Sequence, residues 1–116
     1  MKANELRLGN YILDVFDLKN TVIRKIDLED LSMFINYSNH PLPFRPIPLT
    51  EEILLKCGFE KLGKYTFVCD TALMQLEIDV INNKLLHSIL AIEIKYLHQL
   101  QNLYFALTNQ ELNIEL

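Results

Sequence analysis

Three short hydrophobic runs, separated by polar residues, occupy the first third of the chain. They cover Gly9 to Phe16, Thr21 to Leu28 and Leu31 to Tyr37. Short runs rich in β-branched and aromatic residues are typical of strands. We therefore expect a meander of three short antiparallel strands, with a first turn at Asp17 to Asn20. Because of Leu6 to Asn10, a small SH3-like barrel is the alternative arrangement for this part of the chain.

A proline-rich segment follows and leads into a short helix. The four prolines of the chain are Pro41, Pro43, Pro46 and Pro48. Proline lacks a backbone N–H and disfavours helix at the residue before it, so this segment is predicted to be extended, irregular and unable to sit inside a sheet. Thr50 can cap a helix that carries Glu51 and Glu52 at its positive end. Gly58 is placed to end that helix in a left-handed conformation, with Phe59 packing back.

The middle of the chain predicts a strand and then a hairpin. Lys64 to Asp70 reads as a strand, and Met74 to Val80 shows the clearest alternation of hydrophobic and polar positions. Asn82 and Asn83 are suited to the turn, after which Leu85 to Ile94 would return antiparallel.

The register of this hairpin depends on the length of its loop. A two-residue loop would turn one set of residues inward: Leu85, His87, Ile89 and Ala91. A three-residue loop would turn the other set inward: Leu86, Ser88, Leu90 and Ile92. The second set buries more apolar surface, so the three-residue loop is favoured.

Tyr96 to Asn109 has the spacing of a helix, and it is the most unusual segment of the chain. Its apolar stripe consists of Leu97, Leu100, Leu103, Tyr104 and Leu107. Its opposite side carries His98, Gln101, Asn102 and Phe105. A surface helix normally has charged residues there, but no Asp, Glu, Lys or Arg occurs between Lys95 and Glu111.

Two interpretations of this uncharged face remain open. In the first, the helix is covered on both sides within the protein, and its amide side chains bind to loop backbones. In the second, His98, Gln101, Asn102 and Phe105 form a contact surface for a protein partner or a second copy of the chain, since the centres of interfaces are depleted in charge. A small-ligand site is a lesser alternative.

Composition and charge limit the function classes. The chain has 116 residues, half of them hydrophobic, and a net charge of −4. This length predicts a single domain over residues 1–116, and the negative charge makes nucleic acid an unlikely partner. No apolar run is long enough for a membrane span, and the start of the chain does not resemble a signal peptide. Cys57 and Cys69 are expected to be reduced thiols in a cytoplasmic protein.

Common catalytic and metal-binding patterns are not recognisable in the sequence. The three glycines fit no phosphate-binding loop, and His40, His87 and His98 lack metal-ligand spacing, so neither a cofactor nor a metal is predicted. Five acidic residues in the first third could meet around a cation, although solvated strand ends and turns explain them better: Asp14, Asp17, Asp27, Glu29 and Asp30. Residues Pro43 to Pro46 match a PxxP ligand, but a rigid spacer accounts for them.

Three blocks of the sequence resemble a family of short, uncharacterised proteins from gut bacteria and their prophages. The first block is Asn4 to Tyr11 (NELRLGNY), the second runs from Pro46 to Phe59 (PIPLTEE, then LLK and GF), and the third is His98 to Thr108 (HQLQNLYFALT). Asn109 stands where that family commonly has glycine, and asparagine also tolerates left-handed geometry. The resemblance implies a phage or mobile-element context, and it implies no catalytic residue.

Taken together, these patterns predict an α+β domain. It would combine an antiparallel sheet of short strands, a short central helix, a longer C-terminal helix and a last short strand at Leu112 to Leu116. The leading functional hypothesis is a non-enzymatic interaction or accessory protein of phage or mobile-element origin. The alternatives are a nucleic-acid-binding small barrel and a small enzyme whose site is assembled in space.

Overall fold

The computed structural model describes residues 6–15, 21–36, 44–71 and 74–115, and for 34–36 it describes the backbone only. Within these ranges lie three helices and two antiparallel sheets, which confirms the predicted α+β class. The chain divides into two compact units, Met1–Ile47 and Pro48–Leu116, here called the N-terminal and C-terminal units. That the whole chain is a single domain stays a prediction.

The N-terminal unit is a three-stranded sheet with one helix. Its elements are β1 (Tyr11–Asp14), β2 (Val22–Lys25), α1 (Leu28–Asn36) and β3 (Phe44–Arg45). The strand order is β2-β1-β3, and both pairings are antiparallel. In the part of this unit that the structure describes, Ile12, Ile26 and Phe44 form a buried cluster, with Leu6 and Leu31 packed against it. Among the described residues this is an open sheet with a helix, and the SH3-like alternative is not seen there.

A tight turn leads into β1. Gly9 has φ 87°, and the N–H of Asn10 donates to the carbonyl of Arg7 (3.1 Å). The side-chain oxygen of Asn10, a fully buried residue, accepts from the N–H of Arg7 at 2.7 Å. The segment that suggested a barrel is therefore the entry turn of this sheet.

The predicted third strand, Leu31 to Tyr37, is wrong, because residues 28–36 form α1. The helix begins with a reciprocal cap. The N–H of Asp30 donates to Asp27 Oδ1 (2.9 Å), and the N–H of Asp27 donates to Asp30 Oδ2 (3.0 Å). Such a cap satisfies N–H groups that have no partner inside the helix, and it favours helix over strand for the apolar run that follows. Tyr37 and the predicted turn at residues 17–20 lie outside the described residues.

The proline-rich segment contributes an edge strand. β3 pairs with β1 through Asp14 opposite Phe44 and Leu13 opposite Arg45. An edge position tolerates neighbouring prolines, since one side of the strand needs no N–H donors. The described part of the segment is therefore extended, as predicted, but the expectation that it is irregular is wrong at Phe44 and Arg45, which pair at the edge of the sheet. Residues 41–43 lie outside the described ranges.

The C-terminal unit contains a four-stranded antiparallel sheet in the order β4-β5-β6-β7. Its elements are α2 (Glu51–Lys56), β4 (Glu60–Leu62), β5 (Thr66–Asp70), β6 (Gln75–Ile81), β7 (Lys84–His87) and α3 (Leu97–Thr108). Alternation in β6 turns Leu76 and Ile78 into the core, each 1% exposed. The predicted strands at residues 64–70 and 74–80 are confirmed, with observed bounds of 66–70 and 75–81. The sequence pattern does not predict β4.

The short helix α2 is built as its sequence predicts. Thr50 Oγ1 accepts from the N–H of Ile53 at 3.2 Å, which caps the N-terminus. Gly58 takes the left-handed conformation with φ 87°, and the N–H of Phe59 donates to the carbonyl of Leu54 (3.1 Å). Leu54 is fully buried, so this short helix depends on its packing for stability.

The favoured three-residue hairpin loop is wrong. Asn82 and Asn83 form a two-residue turn with φ 52° and 62°, and two successive left-handed residues match the twist of a hairpin. This register turns Leu85 and His87 inward, where they are 8% and 5% exposed. The strand ends at His87, and residues 88–90 turn away from it.

The described end of the chain packs without forming the predicted strand. Residues 111–115 have no regular secondary structure, although Leu112 and Ile114 are buried. The N–H of Glu115 donates to the carbonyl of Lys56 at 3.0 Å, which ties this end to α2. Of the helices in the described ranges, none is long and apolar enough to cross a membrane.

Candidate functional site

Helix α3 carries the four predicted contact residues, and the structure separates them. His98 is 0% exposed and Gln101 is 2% exposed, so neither side chain is available to a partner. The ring of Tyr96 stacks on that of His98 with centroids 5.7 Å apart. Asn102 and Phe105 are half-buried. The burial of His98 and Gln101 supports the covered-helix interpretation, while a role in binding for Asn102 and Phe105 stays a prediction.

The ends of α3 are capped by neutral groups. Gln99 Oε1 accepts from the N–H groups of Lys95 (2.9 Å) and Tyr96 (3.1 Å). At the other end Asn109 is left-handed with φ 57°, and its N–H donates to the carbonyl of Phe105 at 2.7 Å. Asparagine thus supports the left-handed cap that was expected at this position.

Residues 88–92, here called the apolar turn, present aliphatic side chains to solvent. Ile89 is 83% exposed, Leu90 is 49% exposed and Ile92 is 51% exposed. The sequence pattern assigned this segment to a returning strand, with one set of its side chains inward. The chain leaves the strand at His87, and these apolar side chains are consequently not covered by the unit that carries them.

Hydrogen bonds to His87 hold the backbone of the apolar turn. The N–H of Leu90 donates to His87 Nδ1 at 3.1 Å, and the N–H of Ala91 donates to the carbonyl of His87 at 2.8 Å. The N–H of His87 in turn donates to the carbonyl of Ile92 at 2.9 Å. Ala91 takes a left-handed conformation with φ 54°. His87 therefore acts in the structure as a buried support for an exposed turn.

An open cleft of about 670 Å³ lies on the four-stranded sheet, here called the sheet cleft. Its walls include Tyr65, Thr66, Glu77, Asp79 and Ile81. The pairing of β5 with β6 places Thr66 opposite Asp79. Because side chains alternate along β6, the carboxylates of Glu77 and Asp79 lie on the same face of the sheet. Only the strand register brings these residues together, so the sequence pattern did not reveal the cleft.

The carboxylate of Asp79 is held in a defined orientation. Thr66 Oγ1 donates to Asp79 Oδ1 at 3.1 Å, and Ser88 Oγ donates to Asp79 Oδ2 at 2.9 Å. Each oxygen keeps further lone pairs after accepting one hydrogen bond. Asp79 can therefore accept from a ligand without first losing rotational freedom.

The two thiols line a second cavity of about 330 Å³, together with Tyr104. Cys57 and Cys69 are both free, as the sequence predicts. Burial raises the pKa of Cys57 to about 12, with a smaller contribution from neighbouring Cys69. Burial and then Asp70 also raise the pKa of Cys69. Because the thiolate is the reactive form, both side chains are poor nucleophiles at neutral pH.

Two of the five acidic residues considered for a cation site, Asp14 and Asp30, pair with a cation of the protein itself, whereas Asp27 and Glu29 are exposed and Asp17 lies outside the described residues. Arg24 Nε lies 2.7 Å from Asp14 Oδ2, and the two terminal guanidinium nitrogens pair with both oxygens of Asp30. The hydrogen bond from Arg24 lowers the pKa of Asp30, and the same bond raises the pKa of Arg24. The expectation that Asp14 and Asp30 are solvated charges at strand ends and turns is therefore wrong. Their carboxylates pair with Arg24 and so link β1, β2 and α1.

In residues 6–15, 21–36, 44–71 and 74–115, no three His, Cys, Asp or Glu side chains are grouped so that they could hold a metal ion. Neither a protein-family model, nor a curated protein, nor a solved structure matches this chain.

Proposed function

We propose that the protein is a non-enzymatic interaction protein that binds a protein partner through the apolar turn. The observation that supports this most directly is the exposure of Ile89, Leu90 and Ile92 on a hydrogen-bonded turn. Adjacent exposed aliphatic side chains are typical of contact surfaces. Because the backbone is already held by His87, binding would cost little additional ordering of the chain.

The expected strength of such a contact is moderate. Full burial of an exposed aliphatic side chain contributes about 1.5–3 kcal/mol. Three such side chains offset only part of the cost of association, so the apolar turn would anchor a larger interface and would not form one alone. The partner must therefore also contact surface beside the turn.

The biological setting is proposed from sequence resemblance. The three blocks similar to gut-bacterial and prophage proteins support an accessory protein of phage or mobile-element origin. The net charge of −4 favours a protein partner over nucleic acid.

Capture from a host lysate with matched variants tests the apolar turn. Ile89→Asp places a charge in the proposed contact, and Leu62→Asp is the control, because Leu62 is also an exposed aliphatic residue (52%) but lies on β4. We expect wild type and Leu62→Asp to retain the same protein and Ile89→Asp to lose it. Light scattering on the three purified proteins shows whether the partner is a second copy. Equal capture by all three would contradict the proposal.

A further inference from the structure

We propose that the sheet cleft binds an arginine side chain from an extended segment of the partner protein. This inference rests on the proposed function, because it names the chemistry of the partner. The sheet cleft adjoins the apolar turn through Ser88, whose hydroxyl donates to Asp79, and separate variants, Ile89→Asp in the turn and Asp79→Asn in the cleft, test the two surfaces.

Charge complementarity points to a cationic group. Glu77 and Asp79 supply two carboxylates on one face of β6, and among the described residues neither Lys nor Arg lines the cleft. Two neighbouring carboxylates repel each other, and a cation between them relieves that repulsion. The oriented oxygens of Asp79 can accept two parallel N–H bonds, which is the pairing that a guanidinium makes with a carboxylate.

The remaining walls fit the rest of an arginine side chain. Tyr65 is 58% exposed, and Ile81 is 50% exposed. Lys64 Nζ lies 5.7 Å from the centroid of the Tyr65 ring, within the range of a cation–π contact, so a bound guanidinium would have to take the place of this ammonium group or use the other face of the ring. A guanidinium can stack on the ring while its methylene groups cover Ile81.

Arginine fits these walls better than lysine. A guanidinium is planar and donates in a fixed fork, so it can meet an oriented carboxylate and stack on an aromatic ring at the same time. An ammonium group is a compact, strongly hydrated charge and cannot stack in this way. The inference therefore predicts a preference for arginine over lysine as well as a requirement for positive charge.

The experiment is a titration of the full ¹⁵N-labelled chain, followed by amide chemical shifts. The probe is the tripeptide acetyl-Gly-Arg-Gly-amide, and its counterparts carry citrulline or lysine in place of arginine. Citrulline keeps the shape of arginine and removes its charge. We expect saturable shifts of amides in residues 65–66 and 77–82 with the arginine peptide, weaker binding of the lysine peptide and none of the citrulline peptide.

Three variants sharpen the test. Asp79→Asn should weaken binding by roughly tenfold, the range expected for a hydrogen bond to a charged group. Thr66→Val keeps both carboxylates and removes one donor that orients Asp79, so it should reduce the preference for arginine over lysine. Glu52→Gln is the control, since it removes the same charge from an 80%-exposed side chain on α2, and it should bind as wild type does.

Several outcomes would overturn the inference. These are equal shifts with the citrulline peptide, no saturable shift, shifts outside the cleft, and equal binding by Asp79→Asn. Spermidine is titrated in parallel, and binding of spermidine without binding of the arginine peptide would identify a free polyamine as the occupant and reject a peptide. If the arginine peptide does not bind while Ile89→Asp still abolishes partner capture, the inference about the sheet cleft is wrong and the proposed function of the apolar turn stands. If Ile89→Asp has no effect while the arginine peptide binds, the proposed function of the apolar turn fails alone.

Discussion

The two units of the chain are stabilised in different ways. Among the described residues, the N-terminal unit combines an apolar core of Ile12, Ile26 and Phe44 with a cluster in which Arg24 pairs with two aspartates. The C-terminal unit packs two helices and a four-stranded sheet around buried apolar residues, and it buries a neutral thiol among them. Paired charges thus stabilise the described part of the first unit, whereas the second accommodates an uncharged polar group in its apolar packing.

The difference between the units also sets opposite responses to pH. Folding lowers the pKa of Asp30, because its carboxylate is hydrogen-bonded to Arg24, and so favours the charged form. Folding raises the pKa of Cys57, because the thiol is buried, and so favours the neutral form. The N-terminal unit should therefore lose stability in acid and the C-terminal unit in base.

The largest expected effect is on the apolar packing of the C-terminal unit. Leu54→Ala removes a fully buried side chain from α2 and should lower the free energy of unfolding by about 3 kcal/mol. Leu55→Ala is the matched control, because this neighbour is 53% exposed and should cost less than about 0.5 kcal/mol. Urea unfolding followed by circular dichroism measures both. Similar losses for the two variants would contradict the assigned packing of α2.

The next effect concerns the ion cluster of the N-terminal unit. Asp30→Asn should cost about 2 kcal/mol at pH 7, since it weakens two hydrogen bonds to the guanidinium of Arg24. The pKa of Asp30 is lower in the folded protein than its ordinary value of 3.8, so its stabilisation is present above about pH 4 and is lost as the pH falls through the folded pKa. Amide hydrogen exchange in β1 and β2 measures the loss.

The control for this acid response is Glu29→Gln, which changes an exposed carboxylate of α1 in the same way. It should leave the exchange rates of β1 and β2 close to those of wild type at pH 7. An Asp30→Asn protein with an unchanged acid response would show that the ion cluster does not set the acid limit of this unit.

The smallest effect is the response of Cys57 to base. Its pKa rises from an ordinary value of 9.0 to about 12 on folding, so the unfolded chain loses the proton first as the pH increases. Its stabilisation is therefore fully present below about pH 8 and is lost progressively up to about pH 12, with about 1.4 kcal/mol lost at pH 10. Urea unfolding at pH 8 and pH 10 should show this loss in wild type and a smaller loss in Cys57→Ala. Equal losses of unfolding free energy in the two proteins would show that groups other than Cys57 cause the response to base.

Local signals in the sequence predict part of the fold. Thr50, Gly58 and Asn109 mark helix ends because their preferences depend on neighbouring residues only. The apolar run of α1 resembles a strand by itself, and the feature that marks it as a helix is the reciprocal cap of Asp27 and Asp30. Buried apolar area does not determine the loop length between β6 and β7, because the left-handed preference of two successive asparagines decides it.

The candidate sites were less predictable because they depend on register and burial. The absence of charge on α3 is compatible with both a covered helix and an interface, and only the burial of His98 and Gln101 separates the two. The sheet cleft requires Thr66 to lie opposite Asp79, which is a property of strand pairing and is not visible along the chain. The apolar turn arises where β7 stops, and no residue near His87 is a strong breaker of strands.

One carboxylate of the N-terminal unit performs two tasks. Asp30 accepts from the backbone of Asp27 to begin α1, and it also accepts from Arg24 on β2. Unravelling the first turn of the helix would therefore release the guanidinium from its partner, and separation of β2 would remove part of the helix cap. The helix and the sheet should consequently open as one cooperative foldon, so that the N-terminal unit behaves as an all-or-none element.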